Sequence, residues 1–198
     1  MKLLKTLILS LLFLTSSHAQ TAWDFSRAVF TAGNAEVLGM SVEQSSGHLL
    51  SVGYYETNTA TFQPAGTPVL ASPGINPDGF VFKTDNQGNE IWSFRIGKLG
   101  GSTKCTNVVA DNLGNYYVIG TFQGNSEFQG NSGTSTALSS TSASWDAFLA
   151  KYDSGGNLLW VESLGNTGTE SFESVHVSAN AVFVAGSFNS LSLLGVLN

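Results

Sequence analysis

The sequence predicts an all-β protein built from repeated sheets of four antiparallel strands. Three observations predict it. Trp23, Trp92 and Trp160 stand 69 and then 68 residues apart, and Gly53, Gly120 and Gly186 stand 67 and 66 apart. The segment Asp78-Gly79-Phe80-Val81-Phe82-Lys83-Thr84-Asp85 recurs as Asp146-Ala147-Phe148-Leu149-Ala150-Lys151-Tyr152-Asp153. Finally, 22 glycines and abundant Ser, Thr and Asn accompany only 11% charged residues, which suits many short strands joined by turns rather than helices rich in Glu, Lys and Ala.

The first nineteen residues read as a leader. Lys2 and Lys5 form a basic start, Leu7 to Leu14 is apolar except for Ser10, and Ser17 and Ala19 place small residues where a signal peptidase reads them. The apolar run is too short for a membrane span of about 30 Å. Cleavage after Ala19 would leave Gln20 first, with no cysteine there for lipid attachment, and no later stretch is long and apolar enough to span. The expectation is a secreted bacterial protein, extracellular or at the cell surface. Removing the leader leaves six basic against fourteen acidic residues, a net charge of −8. Such a surface repels phosphate backbones, so nucleic acid is excluded as a partner. The single cysteine, Cys105, has no internal disulfide partner and reads as a small buried apolar residue in a strand.

One unit divides into four strands. Val108 to Ala110 is the first, followed by the turn Asp111 to Asn115. Tyr116 to Phe122, rich in β-branched and aromatic residues, is the second. A long polar stretch, 123–144, precedes the third strand, Asp146 to Tyr152. The turn Asp153 to Asn157 leads to the fourth, Leu158 to Leu164. Phe148, Ala150 and Tyr152 alternate with Leu149 and Lys151, as for a sheet with unequal faces. Each copy of the recurring segment continues to Gly-Asn, at Gly88 and Gly156, and reaches its Trp four residues later.

One such sheet cannot bury both faces alone, and stacked neighbours can. Repeated four-stranded units are the blades of a β-propeller, with the repeated Trp filling the gap between neighbours. A β-solenoid is the other repeat architecture, but its turns are usually much shorter. The repeat region runs over 20–198, with units at about 23–91, 92–159 and an incomplete 160–198. Trp23 to Phe30 reads as the last strand of a unit, of the kind that completes a final blade. About 2.6 units are present, fewer than a ring of four to eight blades needs, so the sequence reads as an N-terminal fragment or a truncated product with an incomplete ring.

These residues resemble the bacterial β-propeller repeat called SBBP. The resemblance rests on Phe148 to Asp153 followed by Gly156-Asn157-Leu158-Leu159-Trp160, on Tyr116 to Phe122, and on a weaker copy, Val182 to Phe188. It covers roughly 36–190 and implies a large secreted or surface protein without assigned activity. The units here run longer than that repeat, through Ser/Thr/Gly-rich insertions at 57–77 and 123–144. Asp85-x-x-Gly88-x-x-x-Trp92 is also similar to the blade motif of quinone-dependent dehydrogenases, where the Trp docks blades. The basic and acidic cluster around a quinone and calcium that this family implies is not found. Sialidase-type Asp boxes resemble the same turn loosely, and those are structural.

Candidate chemistry is sparse. The turns at Asp85, Asp111 and Asp153 each offer one carboxylate, with Glu90 after the first, too few for an EF-hand-like calcium site. Asp capping its own turn is the simpler reading. His48 and His176 lie in no Cys/His cluster. Glu170 and Glu173 could form a glycosidase pair but read as a solvated loop. No Gly-x-Ser-x-Gly elbow and no P-loop occurs. Trp145, outside the repeated Trp position, is the candidate exposed contact for a ligand. No catalytic residue, metal or cofactor is assigned. The expected role is a non-enzymatic scaffold binding protein or glycan, together with further blades of the same chain or other copies. The alternative is a propeller enzyme, a glycosidase, lyase or quinoprotein, whose active residues lie in blades outside this sequence.

Overall fold

A computed structural model describes residues 29–30, 33–56, 59–62, 69–72, 74–178 and 181–189. The leader 1–19 and Trp23 lie outside them. Fifteen β-strands and a 3-10 turn at Thr141–Ala143 make up the regular structure of the described residues, which contain no α-helix. In chain order the strands are β1 (Val29–Phe30), β2 (Ala35–Val42), β3 (Leu49–Tyr55), β4 (Thr59–Phe62), β5 (Val69–Ala71), β6 (Asp78–Thr84), β7 (Glu90–Ile96) and β8 (Ser102–Ala110). They continue with β9 (Tyr116–Gln123), β10 (Asn125–Gln129), β11 (Ser135–Ser139), β12 (Trp145–Tyr152), β13 (Leu158–Leu164), β14 (Glu170–Ser178) and β15 (Ala181–Phe188).

Every pairing is antiparallel. Strands β2, β3, β6 and β7 form the repeat's four strands within a first sheet of six, ordered β11-β10-β7-β6-β3-β2; β8, β9, β12 and β13 form a second sheet, β14 with β15 a third of two strands, and β1, β4 and β5 a separate three-stranded sheet. None of the sheets closes on itself. The sheets stack in chain order, the first on the second and the second on the third. Between the first two lie Leu50, Val52, Val81, Trp92, Phe94 and Ile96 against Val118, Phe148, Ala150 and Tyr152. Between the second and third lie Tyr117, Ile119, Ala147 and Leu149 against Phe172, Val175, Val182 and Val184. The middle strands β9 and β12 are therefore buried on both faces, and β6 is as well, because its outer residues Phe80 and Phe82 pack with Tyr55, Ala60 and Leu70. The expectation of unequal faces is corrected here: the alternation in β12 separates two neighbours, not core from water.

The repeated glycines have a steric cause. Each stands opposite a β-bulge in the first strand of its sheet. Bulges fall between Val37 and Gly39, Cys105 and Asn107, and Phe172 and Ser174, with partners Gly53, Gly120 and Gly186. A Cβ on Gly120 would lie 2.0 Å from the Lys104 carbonyl oxygen and 2.8 Å from the Phe148 ring. A Cβ on Gly53 would meet the Glu36 carbonyl at 1.8 Å and Phe80 at 2.9 Å, and one on Gly186 the Ser171 carbonyl at 1.8 Å. The bulge turns a carbonyl into the strand, and only a residue without a side chain fits beneath it.

Two sequence expectations change. The first strand of the second unit begins at Ser102, not Val108. Its early residues are polar because β8 is an edge strand, and Thr103 is satisfied by a buried 2.7 Å hydrogen bond with Ser126. The insertions are not plain loops. Each carries a hairpin, β4–β5 and β10–β11, and each hairpin pairs with a strand that precedes its own group of four strands: Phe62 opposite Val29 of β1, and Phe128 opposite Ile96 of β7. Phe128 is fully buried, edge-on to Phe122 and Phe148 with ring centroids 5.9 and 4.8 Å away. Strand β10 has little apolar alternation of its own, and its strand form rests on this docking.

Candidate functional site

The tight turns explain the repeated Asp, Gly and Asn. In Asp85, Asp111 and Asp153, Oδ1 accepts the backbone N–H two and four residues on, and Oδ2 accepts the Asn side-chain amide at the fourth position. All nine distances fall between 2.7 and 2.9 Å. Both carboxylate oxygens are thus aimed at donors within the turn, an arrangement for capping rather than for gathering a cation. The hydrogen bonds from Asn89 hold Asp85 below the usual carboxylate range. At Asp153 partial burial opposes ionisation, but the hydrogen bonds from Asn157, Gly155 and Gly156 outweigh it and the carboxyl is also lowered. Gly156 serves twice: its φ of 81° is left-handed, and a Cβ there would press on the Trp92 indole at 3.0 Å.

Trp92 is buried between the first and second sheets. Its ring lies 5.5 Å from Phe94 and 5.9 Å from Tyr116 of the second sheet. Trp160, at the same place one unit later, lies edge-on to Tyr117 at 6.3 Å and is half-buried. Trp145, the candidate ligand contact, is the first residue of β12, opposite Gln123, and is half-buried.

The one cluster of opposite charges buried between sheets sits beside Trp92, among the described residues. Lys83 of β6 points toward the second sheet, and its Nζ is 3.2 Å from Glu43 Oε2, with side chains 5% and 8% exposed. The same ammonium donates to the Tyr116 hydroxyl and lies over the Tyr116 ring. Tyr116 in turn donates to Glu43 Oε1 at 3.2 Å, and Ser46 donates to Oε2 at 2.5 Å. His48 Nδ1 is 3.4 Å from the same oxygen. Burial opposes ionisation of Glu43, but the Ser46, Lys83 and Tyr116 bonds and the Lys83 charge hold its carboxyl below the usual range. Burial and the Glu43 charge push the Tyr116 phenol well up.

Sequence reasoning missed this cluster. Glu43 occupies the turn position that Asp111 holds one period later, but its longer side chain reaches Lys83 while still accepting from Ser46 of its own turn. The signal was a lysine alternating with Val81 in an apolar strand, where a buried cation needs a partner. Lys151, one period later, sits over the Tyr117 ring at 5.0 Å.

Two further polar groups mark the opposite end of the sheets. Asp78 and Asp146 are buried at the starts of β6 and β12. Asp146 accepts the Thr141 N–H at 2.8 Å and the Ser144 hydroxyl at 3.0 Å. Asp78 is 3.6 Å from the Arg95 guanidinium, and burial raises its carboxyl against the pull of Ser72 and Arg95. Nearby, Tyr54 donates to Glu36 at 2.7 Å under the Lys104 ammonium, and that bond with burial pushes its phenol up to about 12.

The remaining candidates are dispersed. Glu170 and Glu173 lie on β14, not in a loop. Glu170 is fully buried and accepts the Asn166 N–H at 3.1 Å, whereas Glu173 is exposed. His176 is exposed on the same strand, opposite Phe183. Cys105 is fully buried, and desolvation drives its thiol far above the ordinary range. Among the described residues no three His, Cys, Asp or Glu side chains are grouped to hold a metal, and no helix is long and apolar enough to cross a membrane. No known protein family matches the chain, and no curated protein matches it.

Proposed function

We propose that this is a secreted β-propeller-type repeat protein that serves as a non-enzymatic scaffold, binding protein or glycan outside the cell. The observation that carries the reading is the use made of the repeated residues. The glycines admit bulges, the aspartates cap turns, and Trp92 packs one sheet on the next. The polar groups that recur are engaged within the fold, so binding falls to the surfaces and loops that differ between units. The apolar outer faces of the stack support continued stacking. Met40 and Val42 on the first sheet are 63% and 48% exposed, and Phe183 on the third is 53% exposed. Faces of this kind suit further sheets of the same type, from this chain or from other copies.

Secretion is supported by the basic and apolar leader with Ser17 and Ala19. Amino-terminal sequencing of protein recovered from culture supernatant is expected to begin at Gln20. The scaffold reading is tested with the full-length protein on a glycan array and in a pull-down against surface extracts. Saturable capture in either supports it, and silence in both overturns it. The competing reading is a propeller enzyme. Hydrolysis, elimination or quinone-linked oxidation by the full-length protein, abolished by neutralising an exposed carboxylate such as Glu173, would establish that reading instead.

A further inference from the structure

We infer that copies of this chain join head to tail, with the outer face of the third sheet in one molecule seated on the outer face of the first sheet in the next. Resting on the stacked-repeat reading, this contact makes a second copy the partner. It has a precedent at both internal junctions, and each junction has two unlike halves. One half is a residue three places before the glycine that faces the bulge. Leu50 supplies it at the first junction and Tyr117 at the second, and both are buried there. Phe183 is the third of this series, spaced by 67 and 66, and it is exposed. The other half lies just past the bulge, on the first strand of the following sheet. Val108 and Ala110 supply it at the first junction, Val175 and Val177 at the second. Met40 and Val42 hold the same places in the first sheet, 68 residues before Val108 and Ala110, and both are exposed.

The molecule therefore carries, on its two outer faces, the two halves of a contact that it makes twice internally. Because the halves are unlike, neither matches itself across a two-fold axis, and a second copy brings them together only head to tail. Exposed apolar side chains on these faces leave water when the same seam forms again. Polar groups across the seams set the register. Ser41 accepts the Ala110 N–H at 3.2 Å across the first junction, and Thr106 donates to the Phe172 carbonyl at 2.6 Å across the second. Leu38, Thr106 and Glu173 are the extra residues of the three bulges. Between copies Glu173 takes the place of Thr106, and the Val37 carbonyl takes that of Phe172. An ionised carboxylate cannot donate, so the junction between copies lacks the bond that Thr106 makes.

Sedimentation of the full chain over a concentration series tests the contact. The weight-average mass is expected to rise reversibly with concentration. Met40→Asp and Phe183→Asp each spoil one half and are expected to weaken association about tenfold or more. An equimolar mixture of the two variants is expected to form a dimer that neither forms alone, because an intact Phe183 face meets an intact Met40 face. Glu173→Thr restores a donor and is expected to tighten association about threefold. All three positions are exposed, and circular dichroism checks that each variant keeps the fold. A monomer at every concentration, association untouched by either aspartate or by Glu173→Thr, or a mixture as dissociated as its components would overturn the inference. So would association lost with only one of the two aspartates, which would mark a two-fold contact. A monomer that still captures glycan overturns this inference alone, whereas an associating chain silent on both the array and the pull-down overturns the scaffold reading alone.

Discussion

Replacing Lys83 with Met removes the cation at the first sheet junction while keeping most of the side-chain volume. The ion pair spans 3.2 Å with both side chains largely hidden from water. At an effective dielectric of about 20 the gross attraction is about 5 kcal/mol. Desolvation of both ions offsets much of it, so the pair's net worth is small, but removing one partner leaves the other buried and uncompensated. Lys83→Met alone is therefore expected to cost about 3–5 kcal/mol. Glu43→Gln with Lys83→Met leaves no orphan charge, and the amide oxygen can accept from one of the Ser46 and Tyr116 hydroxyls while its NH2 donates to the other. The double variant is expected to cost about 1–2 kcal/mol, less than Lys83→Met alone, so the two changes are strongly non-additive. Urea unfolding followed by tryptophan fluorescence measures the cycle, with unchanged m-values as the check on the folded state. The pH dependence has a fixed sign. The folded carboxyl of Glu43 titrates below its unfolded value, so its contribution is present above the unfolded value and lost as pH falls through the folded one. The gap between wild type and Lys83→Met is expected to close on acidification through that window. A single-mutant cost under about 1 kcal/mol, strict additivity, or a gap that widens in acid would refute the reasoning.

Other consequences are equally direct. Gly120→Ala forces a methyl against a carbonyl and a buried ring and is expected to cost about 3 kcal/mol or more in the same unfolding assay, at the upper end of overpacking. Phe128→Ala opens the seam between the first two sheets. It is expected to cost about 3–5 kcal/mol and to speed amide exchange at Gly97, read by hydrogen-exchange NMR. Asp153→Ala removes three local acceptor contacts and is expected to cost about 1 kcal/mol by thermal melting. The Cys105 thiol is expected to resist a water-soluble disulfide reagent in the native protein and to react fully in urea, because it is buried with its thiolate disfavoured.

What was legible in the sequence were the features that repeat. Strands β9, β12 and β13 follow from β-branched and aromatic runs bounded by Asp-x-x-Gly-Asn turns, and their ends match the expected ones within a residue. Of the repeated tryptophans, Trp92 lies in the seam between the first two sheets and Trp160 packs edge-on to Tyr117 one period later. The features that were not legible depend on contacts between units. Strand β10 has only Phe128 as an apolar anchor and becomes a strand by docking on Ile96. The early part of β8 is polar and held by bonds to other elements, such as Thr106 to the Phe172 carbonyl at 2.6 Å. The Glu43 cluster joins a turn, a strand and a neighbouring sheet 73 residues away, and no local pattern announces it.

The central claim is that the β10–β11 hairpin, which follows β9 of the second sheet, is laid on β7 of the first. Ile96 and Phe128 form a narrow, non-hydrogen-bonded antiparallel pair, flanked by the Gly97 to Glu127 bond, which brings their Cα atoms to about 4.5 Å. A nuclear Overhauser effect between the Hα protons of Ile96 and Phe128 measures this directly. A strong cross-peak is expected. Its absence, with the Hα of Phe128 close only to protons of its own unit, would contradict the account.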